Sequence, residues 1–76
     1  MKLKVGGALS FYTPAHARLV EVKLDKSTQL TDVLYKIGIP VGEVYIVSVN
    51  GELADLNEAF ISPDDEVSVY SAVDGG

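Results

Sequence analysis

Residues 27–40, STQLTDVLYKIGIP, decide the fold, because they carry one complete helix with its start and stop. Ser27 or Thr28 can cap the helix, since a hydroxyl there accepts a hydrogen bond from an otherwise unpaired backbone N–H. Asp32 near the start suits the positive end of the helix dipole. Leu30, Val33, Leu34 and Ile37 follow the i, i+3, i+4, i+7 spacing of a single buried stripe. Gly38 can take the left-handed conformation that ends a helix, and Ile39 can then touch Leu34, as a Schellman stop prefers. Pro40 completes the exit. One stripe means one partner surface, so the rest of the chain must supply a sheet.

The flanks read as strands. Residues 2–9 (KLKVGGAL) put Leu3, Val5 and Leu9 on one parity, with Gly6 and Gly7 as a bulge or a place where backbone approaches backbone closely. Residues 10–16 form a loop containing Pro14, which cannot donate to a ladder. Residues 17–24 give a second strand with Val20, Val22 and Leu24 on one face, and the two strands pair as a hairpin. After the helix, residues 44–49 (VYIVSV) are apolar on both parities, as in a central strand. Asn50 and Gly51 both tolerate positive φ and signal a hairpin turn to a brief strand at 52–54. Residues 56–60 are irregular or 3₁₀, residues 62–65 turn at Pro63, and residues 66–73 form the last strand. The order β-β-α-β-(β)-β places one main helix on one face of a mixed four- to five-stranded sheet. This is an α+β chain of the β-grasp (ubiquitin-like) class. A ferredoxin-like fold would need a second amphipathic helix, and residues 52–66 hold too many turn-formers for one.

At 76 residues the chain is one domain, of a size that hides only about 60% of its unfolded surface. It has no cysteine, hence no disulfide, thiolate metal site or cysteine nucleophile. The apolar runs are far shorter than a membrane span, and the N-terminus lacks the apolar stretch of a signal peptide. A cytoplasmic protein is expected. Charge is unevenly placed: residues 1–42 hold all six Lys and Arg and net +3, whereas residues 43–76 hold eight acids and no base. That half repels nucleic acid and steers toward a basic partner; the plainer alternative is that acids merely solvate a small domain.

Catalytic chemistry is hard to assemble from these residues. His16 is the one histidine; it has no second imidazole or thiolate beside it and reads as an exposed loop residue, so no metal is expected. The Asp64-Asp65-Glu66 run lacks calcium-loop spacing. No enzyme activity of its own is expected. The ending is more informative. Gly75 and Gly76 follow the last strand closely, giving a domain over 1–73 and a flexible tail over 74–76. Glycine lacks a Cβ, so such a tail can thread a narrow channel and present its carboxylate. A carboxylate so presented can be activated as an acyl adenylate by a partner that supplies every catalytic group.

Taken together, Ile37-Gly38-Ile39-Pro40, Val47-Ser48-Val49-Asn50-Gly51-Glu52, Pro63-Asp64-Asp65-Glu66-Val67 and Val73-Asp74-Gly75-Gly76 resemble the MoaD/ThiS sulfur-carrier family. The resemblance spans nearly the whole chain and is best over 28–76. It implies that an ATP-dependent adenylating enzyme activates the Gly76 carboxylate, which becomes a thiocarboxylate, with Gly75 beside it. ATP belongs to that enzyme, and the chain itself binds no cofactor. A synthase subunit then accepts the sulfur; the acidic half of the chain adds the expectation that both partners offer basic grooves to the tail. The acceptor is a molybdopterin precursor in one branch and the thiamin thiazole in the other. The long first connection favours the MoaD branch, and Val-Asn-Gly-Glu favours ThiS. Ser71 and Ala72 stand where many MoaD tails carry a proline pair, and Asp74 adds a negative charge beside the reacting end.

Parity also offers a docking face. With Val67 and Val69 inward, Ser68, Tyr70 and Ala72 face outward; with Val47 and Val49 inward, so do Ile46 and Ser48. Ile46, Ser48, Tyr70, Ala72 and Asp74 are therefore the candidate partner-binding residues, with neither nucleic acid nor membrane as partner. The alternative is that Ile46 and Tyr70 are covered or merely isolated apolar groups. Two other functions remain open: a ubiquitin-like modifier conjugated through Gly76, and a β-grasp binding or regulatory module with an unused tail.

Overall fold

The computed structural model describes residues 1–72. Seven strands and one α-helix follow in order: β1 (Lys2–Gly6), β2 (Leu19–Glu21), β3 (Thr28–Gln29), α1 (Leu30–Ile37), β4 (Val44–Val49), β5 (Glu52–Ala54), β6 (Phe60–Ile61) and β7 (Glu66–Ser71). Five of them form a mixed sheet in the order β2-β1-β7-β4-β5, and β3 pairs with β6 as a separate ribbon. The first and last strands run parallel at its centre, with Leu3 opposite Val67 and Val5 opposite Val69. Every other pairing in the sheet is antiparallel.

The stripe expected for the helix is the one buried. Leu30, Val33 and Leu34 join Leu3, Val5, Val47, Val67 and Val69 in one core, closed by Leu9, Ile39 and Ile61. Full burial of a side chain such as Leu34 contributes about 1.5–3 kcal/mol. The helix ends as its sequence specifies. Gly38 has φ +106°, and the amides of Gly38 and Ile39 both donate to the Leu34 carbonyl, at 3.0 and 2.9 Å. The second of these is the six-residue bond of a Schellman stop.

Its start differs from expectation. Neither Ser27 nor Thr28 caps it: the Thr28 hydroxyl donates back to the Lys26 carbonyl, 2.8 Å, and no side chain caps the helix. Thr28 and Gln29 are committed to β3, and the Leu30 amide donates instead to the Ala59 carbonyl, 3.0 Å, just before β6. A carbonyl distant in sequence thus does the work expected of a hydroxyl.

Two strand expectations and the loop between them are also corrected. The first strand stops at Gly6 rather than running through 9; Gly7, at φ +63°, turns the chain into a 3₁₀ helix over Gly7–Tyr12, so no bulge forms there. Leu9 reaches the core from that helix. A second short turn, Pro14–His16, replaces the expected loop. It is held from within by buried Thr13, whose hydroxyl lies 2.6 Å from the Ala17 carbonyl and 2.9 Å from that of Ser10. The strand expected over 17–24 is regular only at Leu19–Glu21, although Val20, Val22 and Leu24 do pack against the core together. Residues 44–49 do take an interior place, with β4 paired on both sides, by β7 and β5.

Asn50 and Gly51 have φ of +52° and +86°, the signs a type I′ hairpin requires. Asn50 also ties this turn to the next one. Its amide group donates to Asp65 Oδ1, 3.0 Å, and its Oδ1 accepts from the Glu66 amide, 2.9 Å. Asp65 Oδ2 in turn accepts from the Ser62 amide, 2.7 Å. No helix among the described residues is long and apolar enough to cross a membrane.

Candidate functional site

The outer face of the sheet begins with strand parity. Because Leu3, Val5, Val67, Val69 and Val47 point into the core, Lys2, Lys4, Ser68, Tyr70, Ile46 and Ser48 point the other way. Register then brings the candidates together. Ile46 lies directly opposite Tyr70, and Ser48 opposite Ser68. Ile46 and Tyr70 are 41% and 42% exposed, so the two form a contiguous accessible pair rather than covered groups. Ser48 and Ser68, the next pair along the same two strands, are half-buried, and Ala72 is exposed just past the end of β7. Asp74, Gly75 and Gly76 lie outside the described residues.

Several contributors were missed by parity alone. Between Val44 and Ile46 the register of β4 against β7 slips: Ser71 faces Val44, Tyr70 faces Ile46, and Tyr45 is the extra residue of a β-bulge. Strict alternation from Val47 would send Tyr45 inward. The bulge turns Val44 toward the core instead and leaves Tyr45 72% exposed. The sequence carries no signal for this, because VYIV is apolar on both parities. Leu53, 81% exposed, stands opposite Ser48 across the Asn50 turn, and Leu19 stands opposite Lys4 at the other margin. Leu53 was foreseeable, since a two-residue turn at 50–51 fixes the partner of residue 48.

Gly6 has a role that its place in a strand did not reveal. It pairs with Tyr70, and a Cβ built on it would stand 2.2 Å from Tyr70 Cδ1 and 2.5 Å from Cε1. The approach of backbone on backbone expected at Gly6 is replaced by a ring lying over it. Beside it, the Ala8 amide donates to Ser71 Oγ, 3.1 Å, tying the 3₁₀ helix Gly7–Tyr12 to the end of β7. A small hollow of about 190 Å³ opens here, bordered by Ala8, Glu43, Tyr45, Ser71 and Ala72.

The remaining candidates do not gather. His16 is exposed and stacks on Phe11, with centroids 5.5 Å apart. Ala15 and His16 both have φ near +54°, a left-handed pair without glycine, each costing about 1–2 kcal/mol. Among the described residues no three His, Asp or Glu cluster as a metal ion would need. The Asp65 carboxyl is held below its ordinary value of 3.8, mainly by the Ser62 amide and then by the Asn50 side chain; those contacts join turns rather than form a reactive centre. A broader cleft of about 710 Å³ lies at the opposite end of the sheet, between Met1, Val22, Leu24 and the turn at 63–66. Its walls carry Lys2 and Lys23 together with Glu21, Asp64, Asp65 and Glu66, so neither sign of ligand is favoured. No family model and no curated protein matches the chain.

Proposed function

We propose that this chain is a β-grasp sulfur carrier of the MoaD/ThiS type, working through the carboxylate of Gly76. The observation that carries the reading is the position of β7: the strand leading to residues 73–76 is the central one of five, hydrogen-bonded on both sides by β1 and β4. A tail continuing from that strand starts from a well-anchored point of the scaffold. The mixed sheet, the single helix and the parallel terminal strands also suit a β-grasp assignment.

In the proposed chemistry the Gly76 carboxylate attacks the α-phosphate of ATP on an activating enzyme, forming an acyl adenylate and releasing pyrophosphate. Hydrosulfide then attacks the acyl carbon, AMP leaves, and a thiocarboxylate remains. This chain supplies the electrophile and the docking face; Ile46, Ser48, Tyr70 and Ala72 are the residues assigned to that face, and Asp74 flanks the reacting end. The partner supplies catalysis. The sulfur goes on to a synthase subunit in molybdopterin or thiamin assembly.

Intact-mass spectrometry tests this reading. With ATP, an activating enzyme and sulfide, the chain should gain the mass difference between sulfur and oxygen, and a variant lacking Gly76 should not. No gain sinks the carrier reading. A ladder of larger conjugates would replace it by the protein-modifier reading. The mass of the protein isolated from its own cells checks that Gly76 bears the terminal carboxylate.

A further inference from the structure

We propose that the hollow beside the end of β7 seats one arginine side chain of the protein that handles the tail. The partner's identity rests on the carrier reading; the hollow's chemistry does not. At about 190 Å³ the space falls below the ~300–1,000 Å³ typical of small-molecule pockets. It suits a single side chain. Among the described residues Glu43 is the one charged residue on its border, and no Lys or Arg lines it. The complementary occupant is a cation.

Tyr45 selects among cations. The β-bulge leaves Tyr45 72% exposed on the border of this hollow, which Glu43 also lines. A guanidinium is planar, so it can stack on a tyrosine face while its N–H groups bond a carboxylate; a compact, strongly hydrated ammonium does this less well. Gly42, also on the border, has nothing within 4 Å of where a Cβ would stand, so the approach is open.

The test uses the whole chain and three probes: acetyl-Gly-Arg-Gly-amide, its lysine counterpart and its citrulline counterpart. Two-dimensional amide NMR is recorded during each titration. The arginine peptide should give saturable shifts centred on Tyr45, Ser71 and Ala72. Glu43→Gln and Tyr45→Ala should each weaken it about threefold, the scale of an exposed cation–π or ion-pair contact. Both side chains are exposed, and the dispersion of the spectra checks that the variants fold. Equal responses to lysine or citrulline would overturn the proposal, as would shifts scattered over remote acids such as Glu58. Thiocarboxylate formation is scored separately. Failed titration with successful sulfur loading sinks the hollow alone, and the converse sinks the carrier reading alone.

Discussion

The Tyr70 ring occupies the space where Gly6 would carry a Cβ, with Cδ1 2.2 Å from that point. This contact joins the two central strands on the outer face of the sheet and sets how the ring is presented. Gly6→Ala must expel the ring, and the expected cost is about 1–2 kcal/mol, the scale of an overpacked site. In a Tyr70→Ala background the same substitution should cost little. Urea denaturation of the four proteins in this cycle measures the coupling; additive effects would show that the ring does not depend on the notch.

Tyr70 and Ile46 also make a direct prediction about docking. Tyr70→Asp places a charge at the centre of their exposed pair, and affinity for the activating enzyme should fall on the order of tenfold, as for a central aromatic anchor. The variant also gives up the packing of the ring over Gly6, so its folding is checked by circular dichroism before affinity is compared. Unchanged affinity would remove this face from the binding surface.

Asp65 predicts a pH dependence. Its carboxyl is held below 3.8 by the Ser62 amide and the Asn50 side chain, so the folded state binds the proton less tightly than the unfolded one. The stabilisation is fully present above 3.8. It disappears as pH falls through the lowered folded-state value. Asp65→Asn should therefore reduce stability at pH 7 and make little difference in strong acid. Chemical denaturation across that range checks it, and a constant gap at all pH values would contradict it.

Thr13 predicts the behaviour of the strained turn. Its hydroxyl has one proton for two nearby carbonyls, those of Ala17 and Ser10, and the side chain is 5% exposed. Thr13→Val leaves both carbonyls without it, at a cost of about 1–2 kcal/mol, and should speed amide exchange at His16 and Ala17. Thr13→Ser, which keeps the hydroxyl, should stay close to the parent. Similar exchange in both variants would mean that packing, not the hydroxyl, holds Ala15 and His16 at positive φ.

What could be read from the residues was what neighbours in sequence decide. The helix stop at Gly38 and Ile39 and the turn at Asn50 and Gly51 involve groups within a few positions of one another, and both formed as expected. The inward parity of Val67 and Val69 held because an alternating strand leaves one choice of buried face. The misses were decided at long range. The cap expected from Ser27 or Thr28 gave way to the Ala59 carbonyl. Gly6 and Gly7 served a ring 64 residues away and a 3₁₀ turn, not a bulge. The bulge that did form, at Tyr45, depends on how Val44 and Ile46 meet Ser71 and Tyr70. Of the candidate face, Ile46, Ser48 and Tyr70 were therefore legible, whereas Tyr45 and the hollow it borders were not.

The parallel pairing of β1 with β7 has a mechanical consequence. Force applied to the two chain ends pulls these neighbours in opposite directions along their common axis. Their hydrogen bonds are then loaded in shear and resist together, rather than opening one at a time like a zipper. A partner that grips the residues after β7 and draws them into a channel would pull against this arrangement. β7 thus joins the sheet in a geometry that opposes such a pull along its whole length.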